Sequence, residues 1–335
     1  MNPWEGVVSI RPWIAAALAG LALAAAPIAT AAAQDYPTRT VTIVNPFAAG
    51  GGTDMLARLV AQKLEQRLGK NFVIENKTGA GSIIAAVAVQ KSPPDGHTLL
   101  MAPAPTMATN VSLYKSLPYE PLTDFVPLAL LAQTPFVLIV NPDLPVKSVT
   151  ELIAYAKANP GKLSFASVGP GVPHHLYMEM FKTMTGIQAT HVPYRGSLPA
   201  LNDVVAGHIP MMFVDLGPTA GALAAGKVRA LGVTSKFRVP GFEDIPPIAE
   251  AGLPGFEAVG WQLIVAPAKT PRPIVERLNR EIADILAQAD SKQQIIKYGF
   301  LPVANKSIEE LQDFVRSETV RWGKVVRDAG LAGSQ

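Results

Sequence analysis

"NPFAAGGGTDMLARLVAQKL", from Asn45 to Leu64, decides the fold. An apolar run, Val41–Val44, leads into it, and Leu56, Leu59, Val60 and Leu64 recur after it on one helical face. The stretch therefore reads as strand, glycine turn and helix. Three consecutive glycines, Gly50, Gly51 and Gly52, carry a backbone-entropy cost that needs a reason. Where a strand turns into a helix, the first N–H groups lack partners and the macrodipole is positive. Glycine lets a ligand approach those groups without meeting a Cβ, which suits a carboxylate or a phosphate. No Lys-Ser/Thr pair follows, so the turn is not a P-loop. Gly50-x-Gly52-x-x-Met55 lacks the third glycine of the dinucleotide fingerprint.

Working outward, strand and helix alternate. "NFVIE" (Asn71–Glu75) is a strand, "GAGSIIAAVAVQKSP" a loop and helix, and "HTLLMAP" (His97–Pro103) a strand. This βαβαβ rhythm predicts a parallel sheet covered by helices. Two extended apolar runs follow, Val126–Ala132 and Phe136–Val140, then a helix opened by a Ser148/Glu151 capping box. A second alternating unit runs through "KLSFASVG", "HHLYMEMFKTMTG", "ATHVPY", "LPALNDVVAGH", "IPMMFVD", "TAGALAAGK" and "RALGVTS". After the Pro/Gly-rich Val239–Gly255, "VGWQLIVAP" is extended again. Two long helices finish the chain, one over Ile274–Ala287 and one opened by a Ser307/Glu310 box. The expected architecture is two α/β lobes, the second inserted into the first, with chain crossings near Gln133–Phe136 and Val259–Gln262 as the hinge. The expected boundaries are 34–134 plus 260–335 for one lobe and 135–259 for the other. Ligands favour the cleft between such units.

The chain has 335 residues, 49% of them apolar and 16% charged, a globular composition long enough for two domains. The net charge is only +3 and the basic residues are scattered, which argues against nucleic acid as a partner. Arg11, the Ala/Leu-rich Trp13–Ala33 and the small residues Ala31–Ala33 read as a cleaved export signal over residues 1–33, with a mature start near Gln34. The competing reading is a membrane anchor, against which Pro27 and the alanine-rich tail argue. With no cysteine, an exported chain must be held by its core alone.

The glycine turn recurs. "SFASVGPGVPHHL" (Ser164–Leu176) runs strand, Gly169 and Gly171, then a helix that can begin at Pro173, and "VPYRGSLPALN" places Gly196 before another helix. Two helix N-termini facing one crevice could hold the two ends of a small dianion. Asp54 stands either as a helix-start carboxylate paired with Arg58 or as a contact to a ligand cation, and Asp215 carries the same ambiguity. Arg195 is an arginine on a glycine turn facing that crevice, and can pair with a carboxylate. His97, His174, His175, His191 and His208 form no H-x-x-x-H pair, so no metal site is expected. No G-x-S-x-G elbow or other nucleophile–base–orienter set is present, so no catalytic residue and no cofactor is expected.

These motifs, with "VIENKTGAGSIIAAVAVQKSPPDGHTLLM", "LYKSLPYEPLTDFVPLALLA" and "EAGLPGFEAVGWQLIVAPAKTP", resemble the periplasmic substrate-binding receptors of tripartite tricarboxylate transporters, the Bug-type proteins, from about Tyr36 to Gly330. The resemblance implies a type II periplasmic-binding fold: two α/β lobes, a ligand cleft and a two-strand hinge. It implies a small carboxylate as ligand (a di- or tricarboxylate or an aromatic acid) and the membrane subunits of such a transporter as partner. A sensor feeding a signalling partner is the alternative, and a monomer is the default state. Carried across, the first pincer is Phe47, Ala49, Gly50, Gly51, Gly52 and Thr53 with Asp54, and the second is Ser167, Val168, Gly169 and Gly171. Thr106, Asn110, Tyr194, Arg195 and Asp215 match cleft positions. Val172 stands where the family usually has Ser or Thr, and His174 where a small polar residue is common, which points to a more apolar ligand or a looser site.

Overall fold

The computed structural model describes residues 36–335, so the export signal expected over residues 1–33 lies outside it. Two sheets organise the chain. The first contains β1 (Val41–Asn45), β2 (Phe72–Asn76), β3 (Thr98–Pro103) and β4 (Phe125–Thr134). The second is built from β5 (Phe136–Val140), β6 (Ser164–Ser167), β7 (Thr190–Pro193), β8 (Met211–Asp215) and β9 (Arg229–Val233). The chain then returns to the first sheet with β10 (Gly260–Pro267) and β11 (Leu301–Pro302). The strand orders are β11-β4-β10-β3-β1-β2 and β7-β6-β8-β5-β9.

Neither sheet is wholly parallel. β1, β2 and β3 run parallel, as the βαβαβ rhythm predicts, but β10 is antiparallel to both β3 and β4. In the second sheet β6 is parallel to β7 and β8, while β5 is antiparallel to β8 and β9. The strands that break the rhythm are those entering or leaving a lobe. No covering helix precedes them, so nothing forces a right-handed parallel crossover. One residue, Pro135, separates β4 from β5, and Gly260 of β10 pairs with Thr134 at the end of β4. Thr234 N–H donates to Phe136 O at 2.9 Å, and Ala258 N–H to Thr234 O at 2.9 Å. The two connections are thus stitched side by side.

Helices α1 (Gly52–Leu68) and α2 (Ile83–Gln90) cover opposite faces of the first sheet. Leu56, Val60 and Leu64 of α1 are fully buried against Val41 and Ile43. Two short helices follow, α3 (Asn110–Leu113) and α4 (Pro121–Asp124), and α5 (Val149–Ala158) opens the second lobe. The capping box expected there is half formed: Ser148 accepts from Glu151 N–H, but Glu151 Oε2 takes Lys147 N–H instead. Helices α6 (Pro173–Thr185), α7 (Ser197–Val205) and α8 (Leu216–Ala224) follow β6, β7 and β8. The last of these begins three residues ahead of the expected Thr219, because Asp215 ends the strand and enters the helix directly.

At the C-terminus the two expected helices are three. After α9 (Arg272–Ala287), Gln288 leaves the helical region (ψ 139°), α10 (Ala289–Lys297) starts anew, and α11 (Ile308–Asp328) carries the full Ser307/Glu310 capping box. One apolar cluster holds Leu100 and Val265 of the first sheet together with Phe165 and Phe213 of the second, joined by Tyr177, Trp261 and Trp322. Full burial of side chains this large contributes about 1.5–3 kcal/mol each, so the lobes are fused along their hinge side by shared core. Among the described residues no helix is long and apolar enough to cross a membrane.

Candidate functional site

The triple-glycine turn lies between β1 and α1. Gly51 is the residue before the helix, extended at φ −77°, with no side-chain cap. Met55 N–H reaches Gly51 O at 3.0 Å, leaving the N–H groups of Gly52, Thr53 and Asp54 without an acceptor among the described residues. They lie where the exposed loop Phe47–Gly51 meets the positive end of a 17-residue helix. Gly50 has φ +84°, a left-handed turn that favours glycine.

Asp54 shapes this loop from beneath. Its buried carboxylate accepts from Gly50 N–H at 3.0 Å, Arg58 Nε at 2.8 Å, Arg58 Nη2 at 3.2 Å and Asn76 Nδ2 at 2.9 Å. Burial pushes the carboxyl pKa up, but the Arg58 bond, the Gly50 and Asn76 bonds and the Arg58 charge outweigh it and hold it at about 2. The Arg58 pairing expected from the i, i+4 spacing is present. Asn45 and Asn76 add amide bonds to Phe47 O, at 3.3 and 2.8 Å. Neither asparagine was singled out by the sequence: Asn76 reaches residues 22 and 29 positions away, and Asn45 bonds a backbone carbonyl, which no side-chain pattern marks.

The second turn joins β6 to α6. Ser167 is fully buried, and its hydroxyl accepts from Gly169 N–H at 3.0 Å and lies 2.5 Å from His191 Nε2. Gly171 N–H donates to His175 Nδ1 at 3.1 Å. Gly169 and Gly171 have φ +136° and +73°. Val172 occupies the N-cap position with no side-chain cap, where a Ser or Thr would supply one. His174, the second residue of α6, is 6% exposed and packs edge-on against Phe136 at 4.9 Å. Its Nε2 sits 3.5 Å from Asp215 Oδ2 and 3.4 Å from Ser197 Oγ, and its Nδ1 has no partner among the described residues.

The remaining candidates divide. Thr106 Oγ1 is 2.5 Å from Ser82 Oγ, and Asn110 Nδ2 donates to Gly81 O at 2.9 Å, so both brace the turn Gly79–Ser82. That turn is strained: Ala80 and Ser82 have φ +45° and +75°. Tyr194 turns its hydroxyl to Asp203 at 2.5 Å, and burial, with that bond, raises its pKa to about 12. Arg195 is exposed and has no ion-pair partner among the described residues.

Two contacts bring the lobes together across the cleft. A Cβ on Gly171 would overlap Leu113, 2.7 Å from its Cδ1, so the second turn abuts the helix that carries Asn110. On the other side Tyr298 O lies 3.9 Å from where a Cβ on Gly52 would stand and 3.6 Å from one on Gly217, two residues beyond Asp215. Among the described residues five buried side-chain polar atoms lack a partner, four of them being Asn45 Oδ1, Thr134 Oγ1, Gln262 Oε1 and His174 Nδ1. Their places are the ends of β1 and β4, the β10 segment opposite Pro103, and the start of α6. Each costs free energy unless a polar group meets it. No three His, Asp or Glu residues among those described are placed to hold a metal.

A mixed α/β fold with two sheets in two lobes, joined by paired strands, is the fold of the periplasmic binding proteins. Residues 56–331 match the family described as "Tripartite tricarboxylate transporter family receptor", and the chain belongs to that family of solute-binding receptors rather than to an enzyme family. It is 35% identical to Protein BugT of Bordetella pertussis over 316 residues, 94% of this chain and 97% of that one. Among solved structures it is similar to R. palustris Rpa4515 with adipate, with a TM-score of 0.81, 41% identity, and coverage of 89% of this chain and 99% of that one. It is also similar to MatC from Rhodopseudomonas palustris with bound malate, with a TM-score of 0.76, 35% identity, and coverage of 87% and 100%.

Proposed function

We propose that this protein is a periplasmic receptor that captures a small di- or tricarboxylate or aromatic acid between its lobes and delivers it to a tripartite tricarboxylate-type membrane transporter. The observation that supports this reading is the set of N–H groups at Gly52, Thr53 and Asp54 with no acceptor among the described residues, together with a second glycine turn, at Gly169 and Gly171, ahead of a helix that follows the second sheet. The adipate and malate bound by the two solved relatives support the ligand class.

In this reading residues 34–134 and 260–335 form one lobe and 135–259 the other. The first jaw grips with the backbone of Phe47, Ala49, Gly50, Gly51, Gly52 and Thr53. The second grips with Val168, Gly169, Gly171 and the Val172 N–H, and a ligand carboxylate serves as the cap that Val172 cannot supply to α6. Ser167, Asp54, Thr106 and Asn110 hold the jaws in shape, and Arg195, His174, Asp215 and Tyr194 form the wall. The receptor works as a monomer after removal of residues 1–33.

Thermal-shift and calorimetric screening of the chain from Gln34, against mono-, di- and tricarboxylates and aromatic acids, tests the ligand class. A micromolar binder raises Tm measurably, and no shift with no heat across the panel refutes the proposal. Gly51→Val is a clean probe of the first jaw. Gly51 has φ −77°, and a Cβ would stand 3.7 Å from Ala48 O, so the fold accepts a side chain that the ligand does not.

A further inference from the structure

Behind the second jaw lies a pair of histidines that the ligand-gripping role does not use. His175 and His191 stack face to face, with ring centroids 3.8 Å apart and planes within 7°. Phe165 stacks alongside, its centroid 5.1 Å from His191 and 6.0 Å from His175. Both imidazoles reach forward to the jaw. His175 Nδ1 accepts Gly171 N–H at 3.1 Å, and His191 Nε2 meets Ser167 Oγ at 2.5 Å, the same oxygen that accepts Gly169 N–H at 3.0 Å. The two left-handed glycines of the jaw are therefore each tied to one ring.

The chemistry of these bonds fixes a protonation state. An imidazole nitrogen that accepts an N–H bond carries a lone pair, so the Gly171 bond requires an unprotonated Nδ1 on His175, whose Nε2 lies 3.5 Å from Glu179 Oε1. A proton added to Nδ1 would set two donors against each other across the Gly171 bond. Two imidazolium rings cannot share a 3.8 Å stack without strong like-charge repulsion. The charged groups facing the pair are Glu179 and Lys182, both on α6, with Lys182 Nζ bonded to Glu179 at 2.7 Å and lying 5.6 Å over the Phe165 ring. Burial, then His175 beside it, lowers the pKa of His191 to about 4, with Glu179 opposing.

We propose that His175 and His191 are positioning residues for the second jaw: their neutral stacked rings hold Gly169 and Gly171 in the gripping shape, and protonation of the pair releases the grip. The part of this inference that concerns ligand release rests on the carboxylate reading; the coupling of ring to loop does not.

NMR of the ligand-free chain from Gln34 tests the coupling. Between pH 7.5 and 4 the Gly171 amide resonance should move with the same midpoint as a histidine ring resonance, and the ring nitrogens of His175 should report an unprotonated Nδ1 at pH 7.5. His175→Asn keeps an acceptor near the Nδ1 position but cannot take the proton. It should hold the Gly171 amide constant over that range, while His175→Phe, which offers no acceptor, should shift that amide at every pH. The ratio of wild-type to His175→Asn affinity cancels the ionisation of adipate itself, and should fall about tenfold per pH unit below the pair's titration. A Gly171 amide that stays fixed while the rings titrate overturns the proposal, as does a His175→Asn affinity that follows the wild-type pH profile. If no carboxylate binds at any pH, the carboxylate reading fails and the amide titration still decides the positioning role.

Discussion

Asp54 looks like a ligand contact by position and acts as a scaffold by geometry. Its carboxylate is bonded to Gly50 N–H, Arg58 and Asn76, and the Gly50 bond closes the left-handed turn of the triple-glycine loop. Asp54→Asn should therefore weaken ligand binding without removing a ligand contact, and should cost about 1–3 kcal/mol in urea unfolding at neutral pH, the usual loss when charged hydrogen bonds are broken. Its pKa is lowered from 3.8 to about 2, so the unfolded chain takes the proton first. The stabilisation from Asp54 is complete above about pH 4 and disappears as pH falls towards 2. Unfolding curves of wild type and Asp54→Asn should converge across that window and stay parallel above it. His191 has the same sign at higher pH: its pKa falls from 6.5 to about 4, so stability drains as pH drops through that interval, and His191→Phe should flatten it. The Arg58 partner of Asp54 was legible from its i+4 spacing. The roles of Asn45, Asn76 and His191 were not, because each depends on a neighbour 9 to 24 residues away or on the other side of a strand.

At the scale of single elements, the strands read best. Val126–Ala132 and Phe136–Val140 were visible as apolar runs and appear as β4 and β5, since strands buried on both faces are continuous in hydrophobicity. The direction of those strands was not visible, because an apolar run carries no polarity. The expected helix over Ile274–Ala287 ends where α9 ends, but the separate helix α10 directly behind Gln288 was missed. Two variants test how elements meet. Gly171→Ala places a Cβ into Leu113, at a φ of +73°, and should weaken ligand binding by obstructing the approach of the second jaw to α3. The double variant Gly171→Ala/Leu113→Ala removes the obstruction and leaves only the backbone strain, so it should recover part of the affinity measured by calorimetry. Val172→Thr supplies the missing hydroxyl cap of α6 and should raise the Tm of the ligand-free protein, with a gain of about 0.5–2 kcal/mol. An unchanged Tm would show that the N-cap groups of α6 are already satisfied.

For the whole molecule, two lobes and their crossings follow from element order, whereas the shared core between them does not. Tyr177 of the second lobe stacks on Trp322 at 5.4 Å and meets Phe136 edge-on at 5.0 Å, so α11 reaches across the hinge and seals it. A periodic stripe on α11 announces burial but not which lobe it will bury against. Because one cluster includes residues of both sheets, the protein should unfold in a single transition, with far-UV circular dichroism and fluorescence coinciding, and residues 135–259 expressed alone should not fold. Separate midpoints for the two probes would mean that the lobes are stable units joined only by strands.

The indoles at that seal have an optical consequence. Trp261 and Trp322 both donate to Glu318, at 2.8 and 2.9 Å, and Glu318 is also bonded to Arg321, which reaches Glu257 O on the strand-to-strand connection. The chain's other two tryptophans are Trp4 and Trp13. A protein beginning at Gln34 therefore emits only from indoles that touch its hinge, and a carboxylate arriving in the cleft would be read as a colour change without any attached dye.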